Sequence, residues 1–179
     1  EGFLVIGGRD STTNDILIKK FTEKNDLIFH TEMAGSPFFV VRSENKEIGG
    51  KTKQETSDAV VSYSRAWKLG VTSTEVYYVS PEQLTKKAPT GEYIKKGAFM
   101  IYGKKEYITN HINLAIGITK DGKIMGAPLN AISFNCEKYV EIKQGRKKSS
   151  EIAKFIQRKI GGELDDIIRA MPSGGCEVK

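Results

Sequence analysis

The sequence predicts an α+β protein, a single domain with a mixed, largely antiparallel β-sheet packed by a few helices and followed by a helical C-terminal extension. Its β-rich runs occur in clusters with few helical segments between them, which favours an antiparallel over a doubly wound sheet. At 179 residues and 39% hydrophobic, the chain buries one core but is too short for two independent domains. We expect a core over residues 1–125 and the extension over 126–179, packed on the same domain.

The first strand and two helices follow from local signals. Phe3–Ile6 is β-rich and ends at a double glycine. The spacing Thr12-x-x-Asp15 predicts a capping box for a helix over 14–21. A second box, Thr52-x-x-Glu55, precedes apolar residues at helical spacing and predicts a helix over about 53–68 that packs closely on a sheet.

The remaining strands are read from β-rich runs and turns. Leu27–Thr31 and Phe38–Arg42 are separated by Ala-Gly-Ser-Pro, so we expect a hairpin whose edge carries His30. Asp121-Gly122 follows the predicted strand Leu114–Ile118 as a turn and predicts another hairpin. The other predicted strands are Val71–Val79, Ala98–Tyr102, Leu114–Ile118 and a segment around Val140 and Ile142.

From Ser149 the apolar period becomes helical. One predicted face of this helix contains Ile152, Phe155, Ile156 and Ile160. Gly161-Gly162 predicts its end, and a short helix containing Leu164, Ile167, Ile168 and Met171 follows.

The positive charge is concentrated in two segments. The formal net charge is +6, yet residues 143–159 hold seven basic residues against one Glu and residues 86–105 hold six against one. The rest of the chain is therefore acidic overall. This clustering is typical of a protein that binds a polyanion.

Composition excludes several other classes. Two cysteines and two histidines, far apart, provide neither a disulfide framework nor a zinc site, and no motif indicates a cofactor. The sequence lacks a long apolar run and a signal-type start, so we expect a cytoplasmic protein without a membrane partner. Because the first residue is Glu rather than Met, we expect a piece of a longer protein.

The segment 86–105 is the strongest candidate for anion binding. Lysine pairs flank a Pro-Thr-Gly turn, and basic plus aromatic residues together suit phosphates and an exposed base. Tyr77 and Tyr78 would add stacking surface. The alternative is that these lysines only confer solubility. The candidate contacts here are Lys86, Lys87, Thr90, Glu92, Tyr93, Lys104 and Lys105.

Two smaller candidates lie near the N-terminus. The Gly-Gly-Arg9-Asp10 turn between a strand and a helix suits phosphate, or forms a tight turn with a structural ion pair. His30 lies on the opposite strand face from Phe29, where its ring either contacts a ligand or is a hydrogen-bonded structural group.

Arg146, Lys147 and Lys148 form the last candidate. They precede the C-terminal helix, whose polar face carries Lys154 and further basic residues. A solvated helix face is the ordinary alternative, and a membrane-surface helix is less favoured because the apolar face has a single aromatic residue.

Several blocks of the sequence resemble one known family. They are Val5-Ile-Gly-Gly-Arg-Asp10, His30 with Gly35, Tyr63-Ser-x-Ala-Trp67, and Ala88-Pro-Thr-Gly-Glu-Tyr93 with Phe99 to Lys105. In order and separation they resemble the NFACT-R domain, the RNA-binding module of RqcH- and NEMF-like ribosome quality-control factors, some of which were called fibronectin-binding proteins. The resemblance covers about residues 2–118, and the remainder is similar to the extension of archaeal members.

The resemblance implies a non-catalytic domain that binds tRNA and large-subunit ribosomal RNA. Its implied partners include the rest of a full-length chain, with an NFACT-N domain, helix-hairpin-helix elements and a coiled coil. The family acts on stalled large-subunit complexes and supports template-free C-terminal tailing of the nascent chain.

Two departures and two alternatives remain. Ala34 replaces a second His of many relatives, and Tyr77-Tyr78 replaces a pair that is often tryptophan. The first alternative is an enzyme acting on a nucleotide or phosphorylated small molecule, with His30 or Glu92 as acid or base. The second is a single-domain adaptor associated with DNA or the ribosome.

Overall fold

The computed structural model describes residues 1–179 and contains two main β-sheets. The first has the strand order β1-β3-β2-β4-β7 and comprises β1 (Val5–Gly7), β2 (Leu27–Thr31), β3 (Phe39–Val41), β4 (Val76–Val79) and β7 (Glu106–Ile108). The second has the order β11-β10-β8-β9 and comprises β8 (Leu114–Thr119), β9 (Ile124–Ala127), β10 (Cys136–Lys147) and β11 (Cys176–Val178).

A two-stranded ribbon and six helices complete the fold. The ribbon pairs β5 (Leu84–Thr85) with β6 (Met100–Ile101). The helices are α1 (Ser11–Lys20), α2 (Gly50–Tyr63), α3 (Arg65–Leu69), α4 (Leu129–Asn135), α5 (Ser149–Ile160) and α6 (Leu164–Ala170). Every strand pairing is antiparallel, and the α+β class is confirmed. None of the helices combines the length and apolar composition that crossing a membrane requires.

Helix α1 begins earlier than predicted because a different residue caps it. The Asp10 carboxylate accepts a hydrogen bond from the Thr13 amide at 2.8 Å, and the Thr13 hydroxyl accepts one from the Asp10 amide at 2.9 Å. The predicted box at Thr12 and Asp15 is therefore wrong. Asp10 and Thr13 each accept a hydrogen bond from the other's otherwise free amide, which starts the helix at Ser11.

The predicted hairpin between β2 and β3 is confirmed. Its register pairs Ile28 with Val40, and Gly35 in the connecting turn has a φ of 83°. The other side of β2 pairs with β4, where His30 lies opposite Tyr77. His30 therefore lies in the central strand of the sheet, and its predicted position at an edge is wrong.

The predicted helix over 53–68 is two helices. The Ser64 hydroxyl donates to the Val61 carbonyl at 2.8 Å and accepts from the Ala66 amide at 3.1 Å. This side chain competes with the helical hydrogen bonds, so α2 ends and α3 starts at this serine. At the start of α2 the Glu1 carboxylate accepts from the Thr52 amide at 2.7 Å, which replaces the predicted box.

Helices α2 and α3 lie between the two sheets and join their cores. Val60 and Ala66 pack in the core of the first sheet, whereas Trp67 packs in that of the second. The Tyr63 hydroxyl donates to the Ala170 carbonyl at 2.6 Å, and the Trp67 indole donates to the carbonyl of Gly175 at 3.0 Å. These contacts hold the C-terminal elements against α2 and α3.

The polar face of α2 holds the segment that links the two sheets. The Asp58 carboxylate accepts from the His111 amide at 3.1 Å, and the Ser62 hydroxyl accepts from the Asn113 amide at 3.1 Å. Burial raises the pKa of the Asp58 carboxyl above its usual value. The link between the sheets is thus fixed by hydrogen bonds as well as by apolar packing.

The C-terminal elements agree in part with the predictions made from the sequence. The β8–β9 hairpin is confirmed, with Gly122 at a φ of 81° in its turn. Ile152 and Ile156 are buried, but Phe155 is 37% exposed and lies outside the core cluster that contains them, so its predicted place on the buried face is wrong. The predicted boundary between residues 125 and 126 falls within β9, and the predicted strand over 71–79 is limited to Val76–Val79.

Candidate nucleic-acid interface

The loop of residues 86–99 connects β5 to β6 and packs against the first turns of α1. The Gly97 amide donates to Asp15 Oδ1 at 2.8 Å. Gly97 has a φ of 78°, and a Cβ at this position would lie 2.4 Å from the Ser11 Cα, so no larger side chain fits. This close approach brings the end of the loop next to the turn that contains Arg9.

Lys86 holds the loop in place from inside. Its ammonium lies 2.8 Å from Asp15 Oδ1, donates to the Ala98 carbonyl at 2.5 Å and lies 4.1 Å from the centre of the Phe99 ring. Hydrogen bonds from Lys19 and then Lys86 hold the pKa of Asp15 well below its usual range. The ammonium of Lys86 is therefore occupied by the protein itself.

Lys104 and Lys105 are both paired, in different settings. Lys105 Nζ lies 2.6 Å from Glu32 Oε1 and 4.3 Å from the centre of the buried Tyr77 ring. Lys104 Nζ lies 2.8 Å from Glu106 Oε1 on the exposed surface, which raises the pKa of the lysine. A pair exposed to water exchanges its partner at little cost, so Lys104 remains open to a phosphate but Lys105 does not.

Four exposed cations near the loop have no carboxylate oxygen within 4.0 Å. Lys95 and Lys96 directly precede Gly97, and Arg9 lies two residues before Ser11 on the other side of the contact. Together with the exposed Tyr93 they form what we call the loop surface, namely Arg9, Lys87, Tyr93, Lys95 and Lys96.

The loop surface differs from the set predicted from sequence. It includes Lys95 and Lys96, which the predicted set does not contain although both lie in the basic segment just before Gly97. Thr90 and Glu92 lie exposed at the loop tip, where the Glu92 amide donates to the Pro89 carbonyl at 3.0 Å. The Glu92 carboxylate is the one negative group at this tip.

The aromatic surface also differs. Tyr93 is 84% exposed, and Tyr102 at the end of the same segment is half-exposed. Tyr77 is only 4% exposed, and the ammonium of Lys53 lies 5.2 Å from the ring centre of Tyr78. A stacking role for Tyr77 is therefore wrong, and Tyr93 is the ring that a base can reach.

Asp10 and Arg9 do not form the ion pair that one interpretation predicted. Asp10 caps α1, and hydrogen bonds from Thr13 lower the pKa of its carboxyl. The Arg9 guanidinium has no carboxylate within 4.0 Å. The turn thus leaves Arg9 free for an external anion while its neighbour has a structural role.

His30 has the surroundings of a structural histidine. Its Nδ1 lies 2.6 Å from the Thr31 carbonyl oxygen and its Nε2 lies 3.1 Å from that of Ser36. The ring packs 4.2 Å from the Phe38 ring, and burial lowers its pKa. Both nitrogens face backbone carbonyls, so neither is directed at a ligand.

A second basic surface lies on the other sheet. Arg146, Lys147 and Lys148 are exposed where β10 ends and α5 begins, after an irregularity in the register of β10 with β11. No carboxylate oxygen lies within 4.0 Å of these cations or of the exposed ones on α5. We call this set the α5 surface, namely Arg146, Lys147, Lys148, Lys154, Arg158 and Lys159.

The chain is similar in sequence to several known proteins. The family model of the NFACT protein RNA binding domain matches residues 1–103, which include the whole loop surface. The Archaeal Rqc2 homolog aRqcH of Methanocaldococcus jannaschii is 40% identical over 99% of this chain. The Drosophila melanogaster NEMF homolog and human NEMF, both named as ribosome quality control complex subunits, are each 37% identical over 66% and 60% of the chain.

The matches differ in extent. The chain spans only 27% of the archaeal protein and 10% of the human one. The C-terminal part of the fibronectin/fibrinogen-binding protein from Streptococcus suis aligns with a TM-score of 0.50 at 22% identity, over 61% of this chain and 41% of that one, which supports the fold alone. Since the family model covers more than half of the sequence, in agreement with the blocks identified above, the chain belongs to the NFACT-R family of RNA-binding domains.

Proposed function

We propose that this chain is the non-catalytic RNA-binding part of a cytoplasmic ribosome quality-control factor. The loop surface binds tRNA or large-subunit ribosomal RNA, and the α5 surface adds secondary contacts. The observation that carries the proposal is that four unpaired cations and one exposed tyrosine lie on loop 86–99 and the turn it approaches, within the region that the family model matches. Phosphates need free cations, and a base needs an exposed aromatic face.

The role in a complete factor follows from the relatives. Their names place them in ribosome quality control, and they are several times longer than this chain. We propose that the remainder, with an NFACT-N domain, helix-hairpin-helix elements and a coiled coil, is the partner of this domain. The domain would then supply RNA contacts during template-free tailing of stalled chains on the large subunit.

The candidate contacts differ in whether their charged groups are free to bind a phosphate. Arg9, Lys87, Lys95 and Lys96 are direct phosphate ligands, with Lys104 beside them. The remaining groups stabilise the structure that positions these ligands; they are Lys86, Lys105, Asp10 and His30. Four phosphate contacts predict a slope of log K against log salt of about −2.8 for a single strand and −3.6 for a duplex. A fourfold rise in salt would then weaken binding about 50- to 150-fold.

The test is tRNA binding by the purified chain across a salt series. Changing Lys87, Lys95 and Lys96 to Ala should make the slope about 2 to 3 units less steep and lower the affinity. The matched control changes Lys20, the last residue of α1, and Lys24, four residues beyond it, both exposed and unpaired, and should leave the slope and the affinity unchanged. A slope that stays the same in the triple variant would disprove the loop surface, and tighter binding of duplex DNA would favour the adaptor.

A further inference from the structure

A groove of about 400 Å³ lies between α5 and the edge strand β11, outside the region that the family model matches. Phe155 forms part of its wall and is exposed, although its neighbours Ile152 and Ile156 are buried. The core around Trp67 does not include Phe155. The fold therefore leaves an aromatic ring in the groove that its own core does not need.

The groove lies within the α5 surface. Lys147 and Arg158 line it, and neither has a carboxylate oxygen within 4.0 Å. Glu151 and Glu177 are the two carboxylates in its lining. The groove is thus lined by an aromatic ring, two cations and two carboxylates.

We propose that this groove binds a segment of single-stranded RNA, an inference that rests on the proposed function and adds a second site to it. One unstacked base packs on Phe155, and the phosphates on either side contact Lys147 and Arg158. The other cations of the α5 surface follow the strand along the helix, whose 12 residues span about 18 Å.

Two features favour a single strand over other polyanions. In a duplex the bases are stacked inside, so only an unpaired base reaches an aromatic ring on the wall of a groove. An acidic peptide would place its carboxylates against Glu151 and Glu177, whereas a base presents N–H donors to them, such as the N3–H of uracil. The Lys159 ammonium, 5.6 Å from the Phe155 ring centre, is placed to meet a phosphate next to the stacked base.

The experiment isolates this groove from the loop surface. Binding of a fluorescein-labelled 12-nucleotide oligouridine and of a 12-base-pair RNA duplex is measured by anisotropy over a salt series. The proteins are the full chain and the chain with Lys87, Lys95 and Lys96 changed to Ala, each with and without Phe155→Ala. Phe155→Tyr is the matched control that keeps the ring, and Lys147→Ala with Arg158→Ala removes the rim charges.

Phe155→Ala should weaken oligouridine binding about 5- to 10-fold with the salt slope unchanged, since the loss of stacking involves no counterion. The rim variant should make the slope about 1.4 units less steep, at 0.7 per phosphate. Phe155→Tyr should bind like the unmodified chain.

Each outcome separates the two proposals. The groove proposal is wrong if Phe155→Ala binds oligouridine as well as its parent, or if the duplex binds more tightly than the single strand. The loop surface is tested separately, by the variant with Lys87, Lys95 and Lys96 changed to Ala. If the groove binds a labelled acidic peptide in preference to oligouridine, the partner class is wrong. If the unmodified chain shows no salt-dependent RNA binding, the proposed function fails as well.

Discussion

Lys86 and Lys87 are adjacent in sequence but have different surroundings, and separate substitutions of the two test how the loop surface works. The Lys86 side chain is 29% exposed and its ammonium contacts Asp15, two backbone carbonyls and the face of Phe99. Lys87 is exposed and has no carboxylate partner. We predict that Lys86→Ala affects stability, whereas Lys87→Ala affects the electrostatics of RNA binding.

The magnitude for Lys86 follows from its contacts. A hydrogen bond to a charged group contributes about 1.5 to 3 kcal/mol, and partial exposure places this one near the lower end. Loss of the cation–π contact with Phe99 adds about 0.5 kcal/mol. The free energy of unfolding should therefore fall by about 2 kcal/mol, which lowers the Tm by about 4 to 8 °C for a chain of this size.

The assays are thermal unfolding, hydrogen exchange and the salt dependence of tRNA binding. Lys86→Ala should lower the Tm and speed exchange at the Gly97 amide, which bonds Asp15 beside it, while the salt slope stays the same. Lys87→Ala should leave the Tm within about 1 to 2 °C and make the slope 0.7 to 0.9 units less steep. If Lys86→Ala keeps its Tm and loses slope as Lys87→Ala does, Lys86 is a phosphate ligand and our account of the loop is wrong.

Three further predictions concern the same framework. Gly97→Ala should detach the loop from Ser11 and weaken RNA binding, because its Cβ has no room and its φ is positive; RNA-binding anisotropy and hydrogen exchange of the amides around residue 97 would show this. Trp67→Ala should lower the free energy of unfolding by about 3 to 5 kcal/mol in a denaturant titration, because the indole is 2% exposed in the core that joins the two sheets. The pKa of Asp15 is lowered in the folded state, so its contribution should be complete above about pH 4 and disappear as the pH falls further; Asp15→Asn should flatten that part of a stability–pH profile.

Local signals predicted much of the fold. The Ala-Gly-Ser-Pro turn and its flanking β-rich runs are sufficient to define the β2–β3 hairpin, since all the relevant residues lie within 16 positions of one another. The period of α5 likewise predicts Ile152 and Ile156 in the core. These features depend on chain geometry that neighbouring residues determine.

Some of the errors occurred where a distant residue competes with a local one. The cap of α2 comes from Glu1, 51 residues before Thr52, and no spacing rule covers such a distance. The ion pair of Lys86 with Asp15 likewise joins residues 71 positions apart, so no spacing rule could predict it. His30 was placed at an edge because the pairing of β2 with β4 involves a strand that is more than 40 residues further along the chain.

Charge clustering located the basic segments but not the residues that are free to bind. Of the six lysines in residues 86–105, Lys86, Lys104 and Lys105 have a carboxylate within 4.0 Å and the other three do not. A lysine that is already paired inside the protein releases few counterions when RNA binds, so its charge adds to the net total without adding to affinity. The paired lysines instead determine where the free ones lie.

This division of roles gives a physical reason for pairing half of the lysines. Loop 86–99 has no helix or strand of its own, and its four lysines would repel one another and leave it mobile if all were unpaired. Lys86 offsets this repulsion by bonding to Asp15, and it fixes Lys95 and Lys96 beside Arg9 before RNA arrives. Because the ordering is already complete in the free protein, less of the phosphate binding energy is lost to it. The cations of the α5 surface are also ordered in the free protein, but by a different means. They lie on α5 and around the end of β10, so regular secondary structure holds them and none needs a carboxylate partner.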